Sequence, residues 1–207
     1  MKINMKKEIP CHILLIAAVV ISLWPVVFML SASLKELNQV FQSPLNPLPF
    51  PPTLENYQTV LSRFPIMQFV GNTFFIAFFV TLFKIITSLL AGFAFVYYRF
   101  KGREMLFNCM LMTFFIPVTV LIMPNYLFMS HLGLLNTPYG VILTELADGM
   151  GIFLMRQAMR SIPKALFESA VLEGAGPMCI LRTIVFPLVR PSVIAVGIMF
   201  FINSWNE

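Results

Sequence analysis

The sequence predicts an all-α protein that crosses a membrane several times. Three observations carry this expectation. Of 207 residues, 58% are hydrophobic and 11% charged, less than half the roughly 25% charged content of a soluble domain. The apolar residues gather in runs of about 20 or more, the length a helix needs to cross roughly 30 Å of hydrocarbon. Short basic clusters separate those runs. The net charge of +5 is thus distributed in the positive-inside manner and forms no nucleic-acid face.

The first run, within residues 11–33, follows Lys2, Lys6 and Lys7. Ser31, Ala32 and Ser33 look like a signal-peptidase site, but an h-region is only about 7–15 residues long. The run is therefore expected to be a retained first helix, kinked at Pro25 by the missing amide and the ring clash. Residues 34–65 contain Pro44, Pro47, Pro49, Pro51, Pro52 and Pro65. Such backbone cannot satisfy its polar groups in lipid, so the segment is an extramembrane loop. A short helix from Thr53 to Ser62 is expected there, with Thr53 as N-cap.

A second helix is expected over 66–98, long enough to be tilted or to project into water. Arg99, Lys101 and Arg103 around Gly102 close it. A third follows over 105–129 and a fourth over 138–159. A polar, basic stretch over 160–190 precedes the start of a fifth helix over 191–207. With the N-terminus inside, the cytoplasmic pieces hold eleven basic residues: Lys2, Lys6, Lys7, Arg99, Lys101, Arg103, Arg156, Arg160, Lys164, Arg182 and Arg190. The external pieces hold only Lys35 and Arg63. That bias orients the chain with a cytoplasmic N-terminus and an external Pro-rich loop.

The stretch from Ser161 to Pro191 is the most informative. Ser161 and Pro163 are expected to open a helix. Leu166, Phe167, Ala170 and Val171 recur at helical spacing as one apolar face. Gly174 ends the helix because it accepts a left-handed backbone without steric cost. Pro177 starts a second short helix, with Met178, Leu181 and Val185 on one side. The result is a helix–turn–helix bracket on the cytoplasmic surface. Periodicity alone is equally the signature of an ordinary interfacial helix.

The residue identities go further. Glu168, Ala170, Gly174, Ala175, Ile184 and Pro187 resemble the EAA loop of ABC importer membrane subunits, with Ser169 in place of Ala, Glu173 in place of Asp and Phe186 in place of Leu. The resemblance extends along the chain through Ser31–Lys35, Asn56-Tyr57, Asn72-Thr73, Arg99–Arg103, Leu132–Thr137, Phe153–Gln157 and Trp205–Glu207. This set is similar to the carbohydrate-importer branch, the group of the maltose and glycerol-3-phosphate permease subunits.

The resemblance implies a type I importer transmembrane domain with six spans. This sequence accounts for about five, so it reads as C-terminally incomplete, as a fragment or as a truncated remnant. It implies that Ala165, Glu168, Ser169, Ala170, Glu173, Gly174, Ala175, Pro177 and Pro187 form the ATPase-coupling bracket, with Glu168 as polar contact and Gly174 as the turn. It also implies the partners: a second homologous permease subunit, two copies of an ATPase, an extracytoplasmic solute-binding protein and the surrounding lipid. The solute would be a sugar or polyol.

Lys84, Glu145 and Asp148 fall inside apolar runs, where a charge costs at least about 2.5–3.5 kcal/mol on insertion scales. They are expected either to line the translocation path or to form an intramembrane ion pair. Glu145 and Asp148 are expected on one face of the fourth helix. If they carried protons, the chain would be a secondary transporter, a rival in which the bracket has no purpose. No phosphate loop of the Gly-x-x-x-x-Gly-Lys-Ser/Thr type is present, so ATP hydrolysis must come from a separate subunit. His12 and His131 are isolated, and Cys11, Cys109 and Cys179 match no metal or redox spacing. No catalytic residue, metal or cofactor is expected, and the thiols are expected to be free.

Overall fold

A computed structural model of the chain describes residues 5–42, 46 and 48–206. Lys2, Pro44, Pro47 and Glu207 lie outside the described residues, as do the side chains of Lys6 and Lys7. Every regular element among the described residues is helical. Internal contacts divide the chain into two compact units, residues 1–68 and 69–207.

The first unit holds α1 (Met5–Ser33), α2 (Leu37–Gln42) and α3 (Glu55–Arg63). α1 runs unbroken through Pro10 and Pro25, and its Ile9–Ser33 portion is apolar and long enough to cross a membrane. Its large side chains, such as Ile13, Leu14 and Ile16, are exposed. A contiguous surface of that kind belongs against lipid or another protein. The loop folds back on the exit of α1. Asn56 Nδ2 donates to the carbonyls of Ser33 (3.0 Å) and Lys35 (2.7 Å), and the Tyr57 and Ser33 hydroxyls lie 2.7 Å apart. α3 starts two residues later than expected. Thr53 Oγ1 accepts from the Glu55 amide at 3.1 Å, so it binds the helix entrance from one position before the cap residue, Leu54.

The second unit is built on α4 (Ile66–Tyr97), 32 residues long. α5 (Arg103–Met112), extended by a 3₁₀ turn at Thr113–Phe115, and α6 (Val118–His131) follow, bent by 102° at the break after Phe115. The expected third helix over 105–129 is therefore not continuous, and Pro117, extended at φ −61°, ψ 136°, stands at the entrance of α6. The fourth helix is also not continuous. It divides into α7 (Pro138–Thr144) and α8 (Gly149–Arg160), and neither piece spans a bilayer alone. α9 (Lys164–Leu172) and α10 (Pro177–Ile180) form the bracket. A π turn (Leu181–Val185) then leads into α11 (Phe186–Asn206). α10, the π turn and α11 form one 30-residue apolar helix, which begins well before the expected Pro191.

Where α4, α8 and α11 cross, small residues bring the backbones together, the usual means of helix packing in lipid. A Cβ on Gly92 would lie 2.9 Å from Met155 Cβ and 3.0 Å from the Arg156 amide nitrogen. A Cβ on Gly151 would lie 2.4 Å from both Phe200 Cζ and Ser88 Oγ. One core results, containing Phe93 of α4, Met155 and Met159 of α8, and Val189, Val193, Val196 and Phe200 of α11. Replacing Gly92 with Leu should force α4 off α8 and cost about 1–3 kcal/mol, the usual penalty for overpacking. Thermal melting of the purified chain in detergent checks this. Gly71→Ala, where a Cβ meets open space, should leave the midpoint unchanged or slightly raised.

Candidate functional site

The bracket closes through local chemistry. α9 ends with Glu173 as C-cap and Gly174 at φ 81°. The Gly174 amide donates to the Val171 carbonyl (3.0 Å) and the Ala175 amide to the Ala170 carbonyl (2.9 Å). This is the two-bond Schellman closure that a left-handed residue makes possible. Pro177 then occupies the first turn of α10, where its missing amide removes no bond. Ahead of Pro187 the ladder widens, and the Phe186 amide donates to the Leu181 carbonyl.

Two details differ from the expected bracket. Ser161 does not cap α9. It ends α8, with Oγ donating to the Ala158 carbonyl at 2.7 Å, and Pro163 stands at the N-cap. The apolar face is also narrower. Ala170 is buried and Phe167 half-buried, while Leu166, Val171 and Met178 are exposed. Glu168, Ser169 and Glu173 are exposed as well, and so is Ala165.

The inner face is continuous with the span core. Ile162, Ala170, Ile180, Leu181 and Val185 are buried in the same cluster as Phe93, Met155 and Phe200, with Phe167 and Ala175 packed against it. Tyr97, at the end of α4, lies 6.2 Å from Phe167 by ring centroids. The bracket is thus fixed to α4, α8 and α11 by packing and joined directly to α11 by backbone.

Arg156, counted among the cytoplasmic basic residues in the sequence, has a structural place of its own. The structure buries it, with 5% of its surface exposed, and its guanidinium lies 3.7 Å from the Phe107 ring centroid. Its Nη2 donates to both carboxylate oxygens of Glu104, at 2.6 and 2.7 Å. Glu104 also accepts from Arg103 at 3.1 Å. The sequence signal was present but weak: an arginine three residues before Met159 on the apolar side of α8.

Of the three intramembrane charges, the structure brings two together. Lys84, 8% exposed, is paired with Glu145 and lies 5.6 Å from the centroid of the Phe200 ring. Asp148 serves elsewhere: its Oδ1 accepts from the Gly151 amide at 2.7 Å and caps α8. Glu145 ends α7 and Asp148 begins α8, so they do not share a helix face. Thr87, one turn beyond Lys84, donates to the Leu146 carbonyl at 3.0 Å. α4 therefore holds the α7–α8 break by an ion pair and a hydrogen bond. Lys84→Met should leave Glu145 without its partner and destabilise the chain by about 1–3 kcal/mol, below the roughly 3–5 kcal/mol of fully enclosed pairs because Glu145 keeps partial exposure. The double variant Lys84→Met/Glu145→Gln should recover part of the loss in the same melting assay.

Comparison with known proteins agrees with this architecture. Residues 84–207 match the family of binding-protein-dependent transport system inner membrane components. The chain is 33% identical over 206 residues to the sn-glycerol-3-phosphate transport system permease protein UgpE of Yersinia pestis bv. Antiqua (strain Antiqua), covering 97% of this chain and 73% of that protein. It is 33% identical over 202 residues to the protein of the same name from Salmonella typhi, covering 95% and 72%. A chain of a bacterial ABC transporter involved in the import of the acidic polysaccharide alginate superposes with a TM-score of 0.79, over 100% of this chain and 73% of that one. At 24% identity that likeness speaks for the fold alone. The chain belongs to the binding-protein-dependent transport family, as a membrane permease component and not an enzyme.

Proposed function

We propose that the chain is the membrane-spanning permease subunit of an ATP-driven importer for a sugar or polyol, including phosphorylated polyols. Its N-terminus and the α9–α10 bracket lie in the cytoplasm. The bracket seats on an ATPase subunit and converts closure of the ATPase pair into a switch between inward- and outward-facing cavities. A second homologous permease subunit completes the cavity, and an external binding protein delivers the solute.

The observation that carries this reading is the continuity of the bracket's inner face with the core of α4, α8 and α11. A displacement imposed on the bracket cannot be absorbed locally, because packed interiors shift between discrete arrangements instead of deforming smoothly. The exposed Ala165, Glu168, Ser169 and Glu173 supply the outer, partner-facing side, while Ala170, Gly174, Ala175, Pro177 and Pro187 set its shape. The solute class rests on the likeness to the glycerol-3-phosphate permeases. A proton-coupled mechanism has less support, since Glu145 is paired with Lys84 and Asp148 caps a helix.

Cysteine placed at Ala165 should cross-link to the ATPase in the intact importer and resist an impermeant thiol reagent added outside. Glu168→Arg should lower uptake by roughly tenfold or more, the scale of one lost charge-assisted contact, while the subunit still reaches the membrane. Labelling of the Ala165 cysteine from outside, or no ATPase cross-link in an assembled complex, would refute the proposal.

A further inference from the structure

A cavity of about 840 Å³ opens between the end of α4, the start of α5, the C-terminal half of α8 and α9. Its lining includes Arg99, Arg103, Arg156, Arg160 and Lys164 against only Glu104 and Glu168. Glu104 is engaged by Arg156 and Arg103. Among the described residues, the side chains of Arg99, Arg160 and Lys164 have no hydrogen-bond or ion-pair partner, so the cavity carries an unneutralised positive charge.

We infer that this cavity seats the headgroup of one anionic phospholipid. Depth supports this. Tyr97 and Tyr98, at the end of the apolar helix α4, line the cavity, as aromatics at a membrane interface do. Charge supports it too, because basic pockets between spans at headgroup level select anionic lipids. Size separates a lipid from a free phosphate ion. The volume lies within the roughly 300–1,000 Å³ of small-molecule sites, far more than a bare phosphate fills, and Val96, Phe167 and Leu172 give apolar wall for the glycerol and first acyl carbons. A phosphodiester held between Arg99 on the α4 side and Lys164 in the first turn of α9 ties the bracket to the span.

The test is native mass spectrometry of the purified full chain with matched-acyl phosphatidylglycerol and phosphatidylcholine. The wild type should retain one phosphatidylglycerol with a preference of about tenfold or more, as three unneutralised cations at headgroup level imply. The triple variant Arg99→Gln/Arg160→Gln/Lys164→Gln should lose the preference, and Arg99→Lys/Arg160→Lys/Lys164→Arg should keep it. A photoreactive phosphatidylglycerol, needing no variant, should mark peptides from α9 or the end of α4 in the wild type. Equal retention of both lipids, marking confined to other helices, or undiminished preference in the triple Gln variant would overturn the inference. Competition by inorganic phosphate would assign a free-phosphate site, and loss of lipid on assembly with the ATPase would assign the cavity to that protein. Either result overturns it as well. None of these readouts depends on uptake, so they stand apart from the test of the coupling proposal.

Discussion

The structure depends on one packing constraint: the small residues of the bracket and the large residues of the spans occupy a single core. Ala170 and Ala175 present almost no side chain and share one cluster with Phe93 and Met159, and the Tyr97 ring of α4 lies 6.2 Å from that of Phe167 in the bracket. The Schellman closure at Gly174 holds those two alanines together through the bond from the Ala175 amide to the Ala170 carbonyl. A larger residue at either position, or a residue that resists φ 81° at 174, would separate the bracket from the core of α4, α8 and α11.

The same unit shows how buried charge is managed. Lys84 and Arg156 each lie against aromatic rings and each meet a carboxylate from a distant part of the chain. Each pair joins two elements. Lys84 and Glu145 fasten α4 to the α7–α8 break, and Arg156 and Glu104 fasten α8 to α5. Removing the carboxylate of either pair costs more than the pair contributes, because the cation left behind, Lys84 or Arg156, stays buried. The pairs therefore act chiefly to define which helices meet, and the apolar core supplies the cohesion.

What the sequence made legible was local. Gly174 and Pro177 declare the turn because left-handed backbone and a first-turn proline are properties of single residues. The long apolar helices and the basic clusters that end them follow from composition. The break at 145–148 was hidden because apolar residues continue on both sides. Its signal, Asp148 three residues before Gly151, is an N-cap pattern that reads weakly inside a hydrophobic run. Ser161 misled because a serine before a proline looks like a cap, yet its hydroxyl bonds backward to Ala158. An ion pair among Lys84, Glu145 and Asp148 could be expected because charges inside apolar runs seek partners, but which acid meets Lys84, and that Arg156 meets Glu104 from 52 positions away, no local pattern encodes.

The central claim is that the bracket and the span core move as one piece. Spin labels on Ala165 and on exposed Leu90 of α4, measured in the assembled importer with and without trapped ATP, address it most directly. The account predicts that this distance stays constant within error while the distance from Ala165 to a label on the second permease subunit changes. A bracket that shifts relative to Leu90 when nucleotide binds would contradict it.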